Sequence, residues 1–421
     1  MKIYKDILQI AMPVMAENFL QFLMGMVDSY LVSHLGLVAL SGVAVANNLI
    51  TVFQAIFLAL GGAVSVILAS LVGRQQSAKL AHHATEALKL TILISLVLGL
   101  LTICFGRLFL LFLGAEKAVA HAGGVYLVLV GGTIVFLGLM VTLGAILRSL
   151  GKSQLPMYVS LVSNLLNALF SAVAVFVFQA GIVGVAVGTI LSRLIACLIL
   201  LRSIPFQLSK PSWKLDRELI RLALPATGER LMMRAGDVAV VAIIVSLGTA
   251  AGNAIGEALT QFNYMPGLGI ATATVILVAQ ARGSYDEKRI REVVRASYLL
   301  SLGLMLLIAT TIFLFSGPLS GLYTDDSLAL EASSLVIVFS LLGSPTTAGT
   351  LIYTALWQGL GKAQLPFYAT SLGMWFVRIG IASVLIFGFK WGLVGVCLAT
   401  ILDNFFRWLF LSVYFQKYTL K

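Results

Sequence analysis

Gly151-Lys152-Ser153-Gln154-Leu155-Pro156 returns 210 residues later as Gly361-Lys362-Ala363-Gln364-Leu365-Pro366, and each copy heads the last two hydrophobic segments of its half of the chain. The register holds outward from this pair. Pro13 and Glu17 recur as Pro225 and Glu229, Gly36 as Gly248, Gly181 and Gly184 as Gly392 and Gly395, and Val66-Ile67-Leu68 as Val275-Ile276-Leu277. Matches spread over both halves at offsets of 209 to 212 mark a tandem duplication. A doubled membrane chain usually places its binding site where the repeats meet, so the repeat by itself points towards transport.

With 60% hydrophobic residues, 11% charged residues and a mean hydropathy of +1.02, the chain would expose too much apolar surface to be a soluble globular protein. A spanning helix needs roughly 20 apolar residues. Twelve segments qualify, near 7–33, 44–72, 87–113, 122–147, 156–179, 182–204, 219–247, 254–281, 293–315, 332–357, 366–388 and 391–415. Only the linkers near 73–86, 114–121, 205–218, 282–292 and 316–331 exceed a tight turn, which leaves no room for a soluble catalytic domain. The first segment begins with Lys2 and Lys5, but it contains Glu17 and Asp28 and lacks a small-x-small cleavage site, so it reads as a retained helix rather than a signal peptide.

Six segments per half is an even number, so both halves enter the membrane from the same side as parallel repeats. The expected fold is therefore all-α and integral to the membrane: twelve transmembrane helices in two pseudo-symmetric six-helix lobes. The lobes comprise residues 1–204 and 219–421, and a cytoplasmic linker, 205–218, with Pro205 and Pro211, joins them. The 39 glycines, Gly184-x-x-x-Gly188 among them, read as ordinary close packing of membrane helices.

The net charge of +11 raises the question of nucleic acid, and its distribution answers it. With the N-terminus cytoplasmic, that side collects twenty basic residues, from Lys2 and Lys5 through Arg148 and Lys152 to Lys417 and Lys421. The other side has only Arg107, Lys117 and Lys390. This is the positive-inside bias, which sets both termini in the cytoplasm and assigns the basicity to topology and anionic lipid, with no nucleic acid as partner. Cys104, Cys197 and Cys397 are scattered within apolar segments, and His34, His82, His83 and His121 fall at segment ends or in loops. Neither set has the spacing of a disulfide framework or a metal site, so no metal is expected.

A charged side chain at mid-membrane costs ~2.5–3.5 kcal/mol on insertion scales, so intramembrane ionisable residues are functional candidates by default. Here they are Glu17, Asp28, Glu229, Asp237 and Asp403, with Arg193, Arg230, Arg234, Arg378 and Arg407. Arg234 and Asp237 are three residues apart and Asp403 and Arg407 four, spacings that pair each on one helix face. Asp28 differs, because no basic residue lies between Lys5 and the end of its segment. Desolvation disfavours the charged form of such a carboxylate, which makes Asp28 a candidate proton carrier. Glu17 lies eleven residues earlier, about three turns, and hence on nearly the same face, where both would line one polar cavity. Asn164, Asn167, Ser171, Thr189 and Ser192 supply hydrogen-bonding groups, open to a role either at that cavity or in interhelical packing. Glu229, Asp237, Arg234 and Arg378 form a second-lobe set. The many Phe, Tyr, Trp and Met side chains suit flat organic cations.

The run from Pro13 through Met26-Val27-Asp28-Ser29-Tyr30 to His34-Leu35-Gly36, the segment ends at Gly73-Arg74 and Arg282-Gly283, and the two GKxQLP turns resemble the multidrug and toxic compound extrusion family. The resemblance implies that Asp28 is the aspartate that couples ions to export. Members often carry an Asn and an Asp four residues apart in the fifth helix; here Asn167 matches the first and Ser171 stands in place of the second. That departure is more similar to the proton-coupled DinF-like branch than to sodium-dependent relatives. The expectation is a proton-coupled antiporter for amphipathic, cationic small molecules, without a cofactor and monomeric, in a prokaryotic plasma (inner) membrane among its lipids. Two other classes stay open besides a sodium-coupled antiporter. A flippase for lipid-linked sugars would be favoured by a basic cavity of Arg193, Arg230, Arg234 and Arg378. A membrane-embedded enzyme finds no support in an Asp-rich, HExxH or GxSxG motif.

Overall fold

The computed structural model describes residues 2–210 and 214–419, with side chains through Lys417; Pro211 and Lys421, used above for the linker and the charge bias, lie outside the described residues. The fold is all-α and multi-pass. Its helices are α1 (Lys2–Ser33), α2 (Leu37–Gly73), α3 (Leu80–Phe112), α4 (Lys117–Gly132), α5 (Val135–Ser149), α6 (Gln154–Ala172) and α7 (Gly181–Arg202). The second half of the chain follows with α8 (Arg217–Ser246), α9 (Ala250–Gly283), α10 (Glu287–Leu314), the short α11 (Ser316–Gly321), α12 (Ser327–Gly359), α13 (Gln364–Leu372) and α14 (Gly392–Thr419).

Ten helical stretches among the described residues are long and apolar enough to cross a membrane, and eleven if α4 and α5 count as one broken span. Two departures from the expected segments account for the difference from twelve. The segment near 122–147 is not one straight helix: α4 and α5 meet at 46°. The bend falls at Gly131-Gly132-Thr133, where the Thr133 hydroxyl donates back to the Leu129 carbonyl at 2.7 Å and competes with the backbone ladder. The segment near 219–247 is present as the 30-residue α8, but Glu229, Arg230, Arg234 and Asp237 lower its apolar character. The segment near 366–388 likewise departs from a regular helix, since π-helical turns at Gly373–Ile381 and Val384–Gly388 follow α13. A third π-helical turn, Val173–Val177, follows α6 at the equivalent place in the first half.

The duplication is written into the backbone. Gly151 and Gly361 have φ of 80° and 70°, a left-handed conformation that glycine adopts without a Cβ clash. Each ends its helix in the same way: Lys152 N–H donates to Leu147 O and Lys362 N–H to Trp357 O, both at 2.9 Å. This six-to-one bond satisfies a carbonyl of the last helical turn. The proline two residues into the next helix then starts a new helix where its missing N–H costs nothing. Gln75 and Tyr285, at φ of 59° and 58°, form another matched pair.

The chain separates into two compact units, Ala16–Arg221 and Met1–Met15 with Leu222–Lys421. The opening turns of α1 therefore cluster with the second half of the sequence instead of the first. Gly269 on α9 leaves space there for Ala11 and Met15, and Asp6 pairs with Arg289 at 3.4 Å. In lipid, helices gain little from apolar burial against one another and associate through close packing. In the first unit a Cβ on Gly42 of α2 would sit 2.6 Å from the Gly123 amide nitrogen of α4. In the second, Gly252 and Gly256 of α9 seat Ala329, Ala332 and Val336 of α12. Around these contacts lie the apolar clusters of Val43, Phe57, Leu127 and Ile134 in one unit and Val240, Ile244, Val336 and Val396 in the other.

The connector before α8 is anchored on the start of α3. Asp216 caps α8 by accepting from the Glu218 and Leu219 amides at 2.9 and 3.2 Å, and it pairs with His83 at 2.8 Å. Ser209 N–H donates to the Thr85 hydroxyl at 3.0 Å, and Lys89 reaches both Glu86 and the Lys214 carbonyl.

Candidate functional site

In the first unit, α1, α4, α6 and α7 bring polar groups around Asp28. The Asn167 amide, on a side chain only 7% exposed, donates to both carboxylate oxygens of Asp28, at 3.0 and 3.2 Å. Arg193 of α7 lies within electrostatic range of Asp28 but forms no ion pair with it among the described residues. Tyr126 of α4 is buried facing Thr189 and is within range of both charges. Gly188 lets α6 and α7 approach closely, since a Cβ there would lie 3.1 Å from the Ser171 nitrogen and hydroxyl. Across the same helix pair Ser163 donates to the Ser192 carbonyl at 3.3 Å.

The α6 face is not fully satisfied. Asn164 Nδ2, Asn167 Oδ1 and Ser171 Oγ are buried and have no hydrogen-bond partner among the described residues. Buried polar atoms normally find partners, and orphaned ones tend to mark functional sites. The arrangement lets Asn167 serve two states of its neighbour. Its Nδ2 donates to an ionised Asp28, and its free Oδ1 is an acceptor for the proton of a neutral one. Of the predicted first-lobe residues, Asn167 bonds Asp28 and shares α6 with Asn164 and Ser171, while Thr189 lies beside Tyr126.

Glu17 has a partner of its own. Its carboxylate accepts from Arg148 of α5 at 2.9 Å, about three turns along α1 from Asp28. Arg148, which the charge pattern assigned to the cytoplasmic side, folds back along α5 over Gly144 to make this contact. Glu17 and Arg148 therefore form an ion pair, a contact between α1 and α5 separate from the Asn167–Asp28 bond.

The second unit holds a larger charged group. Glu229, 5% exposed on α8, accepts from Gln358 of α12 at 3.1 Å and Thr370 of α13 at 3.5 Å. Asp403 of α14 is fully buried between two arginines, Arg378 Nε at 2.9 Å and Arg407 at 2.7 Å. Gly373, at the start of a π-helical turn, has no side chain to obstruct Asp403 and Arg407. Arg378, carried on that turn, also reaches Asp237 at 3.5 Å. π-Turns recur at functional sites because they displace side chains from the regular helical face.

The Asp403–Arg407 pair is as its spacing predicts. The predicted Arg234–Asp237 pair is not formed, because Asp237 turns towards Arg378 and Arg234 remains exposed. Gln358, Thr370, Tyr126 and the proximity of Arg193 to Asp28 were missed by sequence reasoning, since these residues lie far from the acids along the chain and no local spacing encodes the contacts. Of the four arginines whose cavity would favour a flippase, Arg193 belongs to one unit and Arg230, Arg234 and Arg378 to the other. No group of three or more His, Cys, Asp or Glu side chains suited to a metal ion occurs among the described residues.

The MatE family matches the chain twice, over residues 13–173 and 225–384. The probable multidrug resistance protein NorM of Thermotoga maritima is 29% identical over 427 residues, which span 96% of this chain and 90% of that protein. The multidrug export protein MepA of Staphylococcus aureus is 22% identical over 410 residues, with coverage of 94% and 89%. A crystal structure of MATE in the bent conformation shares the fold with a TM-score of 0.91 at 19% identity, over 97% of this chain and 94% of that one.

Proposed function

Because the chain belongs to the MatE family, we propose that it is a proton-coupled antiporter of the DinF-like branch that exports amphipathic organic cations by alternating access. It is a transporter and not an enzyme. In this reading it crosses a prokaryotic inner membrane twelve times as a monomer, with α8 and the broken α4–α5 pair among its spans and both termini in the cytoplasm. The repeats are residues 1–204 and 219–421, with 205–218 as linker.

The observation that carries the reading is Asp28, a spanning-helix carboxylate held by Asn167 on both oxygens and left without an ion pair among the described residues. A carboxylate so placed attracts either a proton or a substrate cation, and the neutral acid attracts neither. Competition between the two is the simplest coupling. Outside, a proton neutralises Asp28 and the cation leaves; inside, the proton leaves and the carboxylate is again available. Asn167 offers a donor to one state and an acceptor to the other, so neither state is left unsatisfied. Ser171 in place of a second carboxylate weighs against sodium, because a sodium ion at this site would have one acid instead of two.

Ethidium efflux from proteoliposomes under an imposed pH gradient, with and without sodium, tests the reading. Sodium-independent efflux that Asp28→Asn abolishes supports it. Efflux that requires sodium moves the coupling site towards Glu229 and Asp237.

A further inference from the structure

Polar side chains within a spanning helix need partners, and three carboxylates of the second unit have theirs. Glu229 is engaged by Gln358 and Thr370, Asp237 by Arg378, and Asp403 by Arg378 and Arg407. Two arginines are left over. Arg230 and Arg234 form no ion pair and donate no hydrogen bond among the described residues; Arg230 is half-buried and Arg234 exposed. They lie within electrostatic range of the acids on either side, Arg230 of Glu229 and Arg234 of Asp237, but those acids are engaged by other groups. In this cluster four guanidinium groups face three carboxylates.

The position of these two arginines, which have no ion pair among the described residues, excludes the ordinary ways of accommodating them. Both stand near the middle of the 30-residue α8, too far from either end to extend to the headgroup level as arginines near helix ends do. They are four residues apart, which sets them one turn apart on a single face, where like charges repel. Each is within electrostatic range of the other, and the Tyr264 phenol of α9 is within range of Arg230. Two planar, always-charged forks side by side match a carboxylate or a phosphate, which accepts several charge-assisted hydrogen bonds at once.

We infer that Arg230 and Arg234 receive the anionic group, carboxylate or phosphate, of an amphipathic substrate. This rests on the export reading above and narrows its substrates to amphiphiles that carry an acidic group. Such a group supplies the counter-charge that this cluster lacks, and Tyr264 offers a further donor beside it.

A carboxyl-bearing rhodamine and its methyl ester differ only at the group in question, and their binding to the purified protein in neutral detergent can be followed by fluorescence anisotropy. The wild-type protein is expected to bind the acid about tenfold or more tightly than the ester, the loss typical of a charge-assisted pair. Arg230→Gln with Arg234→Gln is expected to erase that preference. Arg230→Lys with Arg234→Lys is expected to retain part of it, because charge remains while the fork is lost. Equal affinity of the wild-type protein for acid and ester overturns the inference, as does a preference that survives in the glutamine variant. Where the glutamine variant does not fold, the wild-type comparison and the lysine variant decide. Displacement of the bound acid by a short-chain phosphatidylglycerol but not by benzoate assigns the site to a lipid headgroup, and displacement by benzoate alone to a free carboxylate; both keep the anion site. Efflux of either dye from proteoliposomes is scored separately. Its absence, with the acid preference intact, removes the export reading and leaves the anion site standing.

Discussion

At the scale of single residues, the proposed coupling site depends on which polar atoms are satisfied. Asp28→Asn is expected to abolish pH-driven efflux. Asn167→Ala, which removes the donor to the carboxylate and the acceptor for its proton, is expected to lower the efflux rate about tenfold or more, as losing a hydrogen bond to a charged group does. Initial rates in proteoliposomes check both. Glu17 behaves differently because its partner is Arg148. Glu17→Gln leaves a guanidinium without its counter-charge and is expected to destabilise the protein by about 1–3 kcal/mol. Glu17→Gln with Arg148→Gln should recover part of that loss, and thermal unfolding in detergent distinguishes the two variants. Asp28 was legible in the sequence because a carboxylate in an otherwise apolar segment stands out by its cost. The partners were less so. Asn167 was visible as a polar residue, but its bond to Asp28 joins positions 139 residues apart, and no local spacing encodes that. The partnership of Arg148 with Glu17 was hidden for a related reason: the two lie 131 residues apart, and the path over Gly144 brings them together.

At the scale of helices, close approach is fixed by glycine and polarity is set where regular geometry gives way. Gly42 and Gly252 stand at equivalent positions, 210 residues apart, and each faces a neighbouring helix at backbone distance. Gly42→Ala puts a methyl against the Gly123 backbone, which cannot rotate away, and is expected to cost about 1–3 kcal/mol as overpacking does; the fall in melting temperature measures it. The glycines that end α5 and α12 were legible as a repeated motif before their left-handed φ gave the reason for the repeat. The break between α4 and α5 was not legible, because Gly131-Gly132-Thr133 is tolerated in straight membrane helices and becomes a bend only when the threonine turns its hydroxyl to the backbone. The π-helical turns after α6 and α13 were hidden as well, since an added residue per turn leaves no mark on an apolar run. Yet the one at Gly373–Ile381 carries Arg378 to Asp403 and Asp237, an arrangement that a uniform helical period does not anticipate.

At the scale of the whole molecule, the duplication, the apolar composition and the charge bias made a multi-pass membrane transporter legible, and the family match agrees with that reading. The clustering of Met1–Met15 with the second half of the chain was not legible, because the repeat boundary suggested that α1 belongs wholly with the first half. Exchange of one substrate of net charge +1 for one proton moves no net charge, so pH-driven efflux of such a substrate should not change when valinomycin and potassium set the membrane potential. A net charge per cycle would instead add ~2.3 kcal/mol per 100 mV, about a fiftyfold change in accumulation ratio. The central claim is that proton and substrate compete for one carboxylate. Its most direct test is a titration of the purified protein with a permanently charged organic cation in weakly buffered detergent, with a soluble pH dye reporting protons, at a pH where Asp28 is protonated. The account predicts release of about one proton per protein molecule on saturation, and none from Asp28→Asn. Cation binding without proton release from the wild-type protein, or the same release from Asp28→Asn, would contradict it.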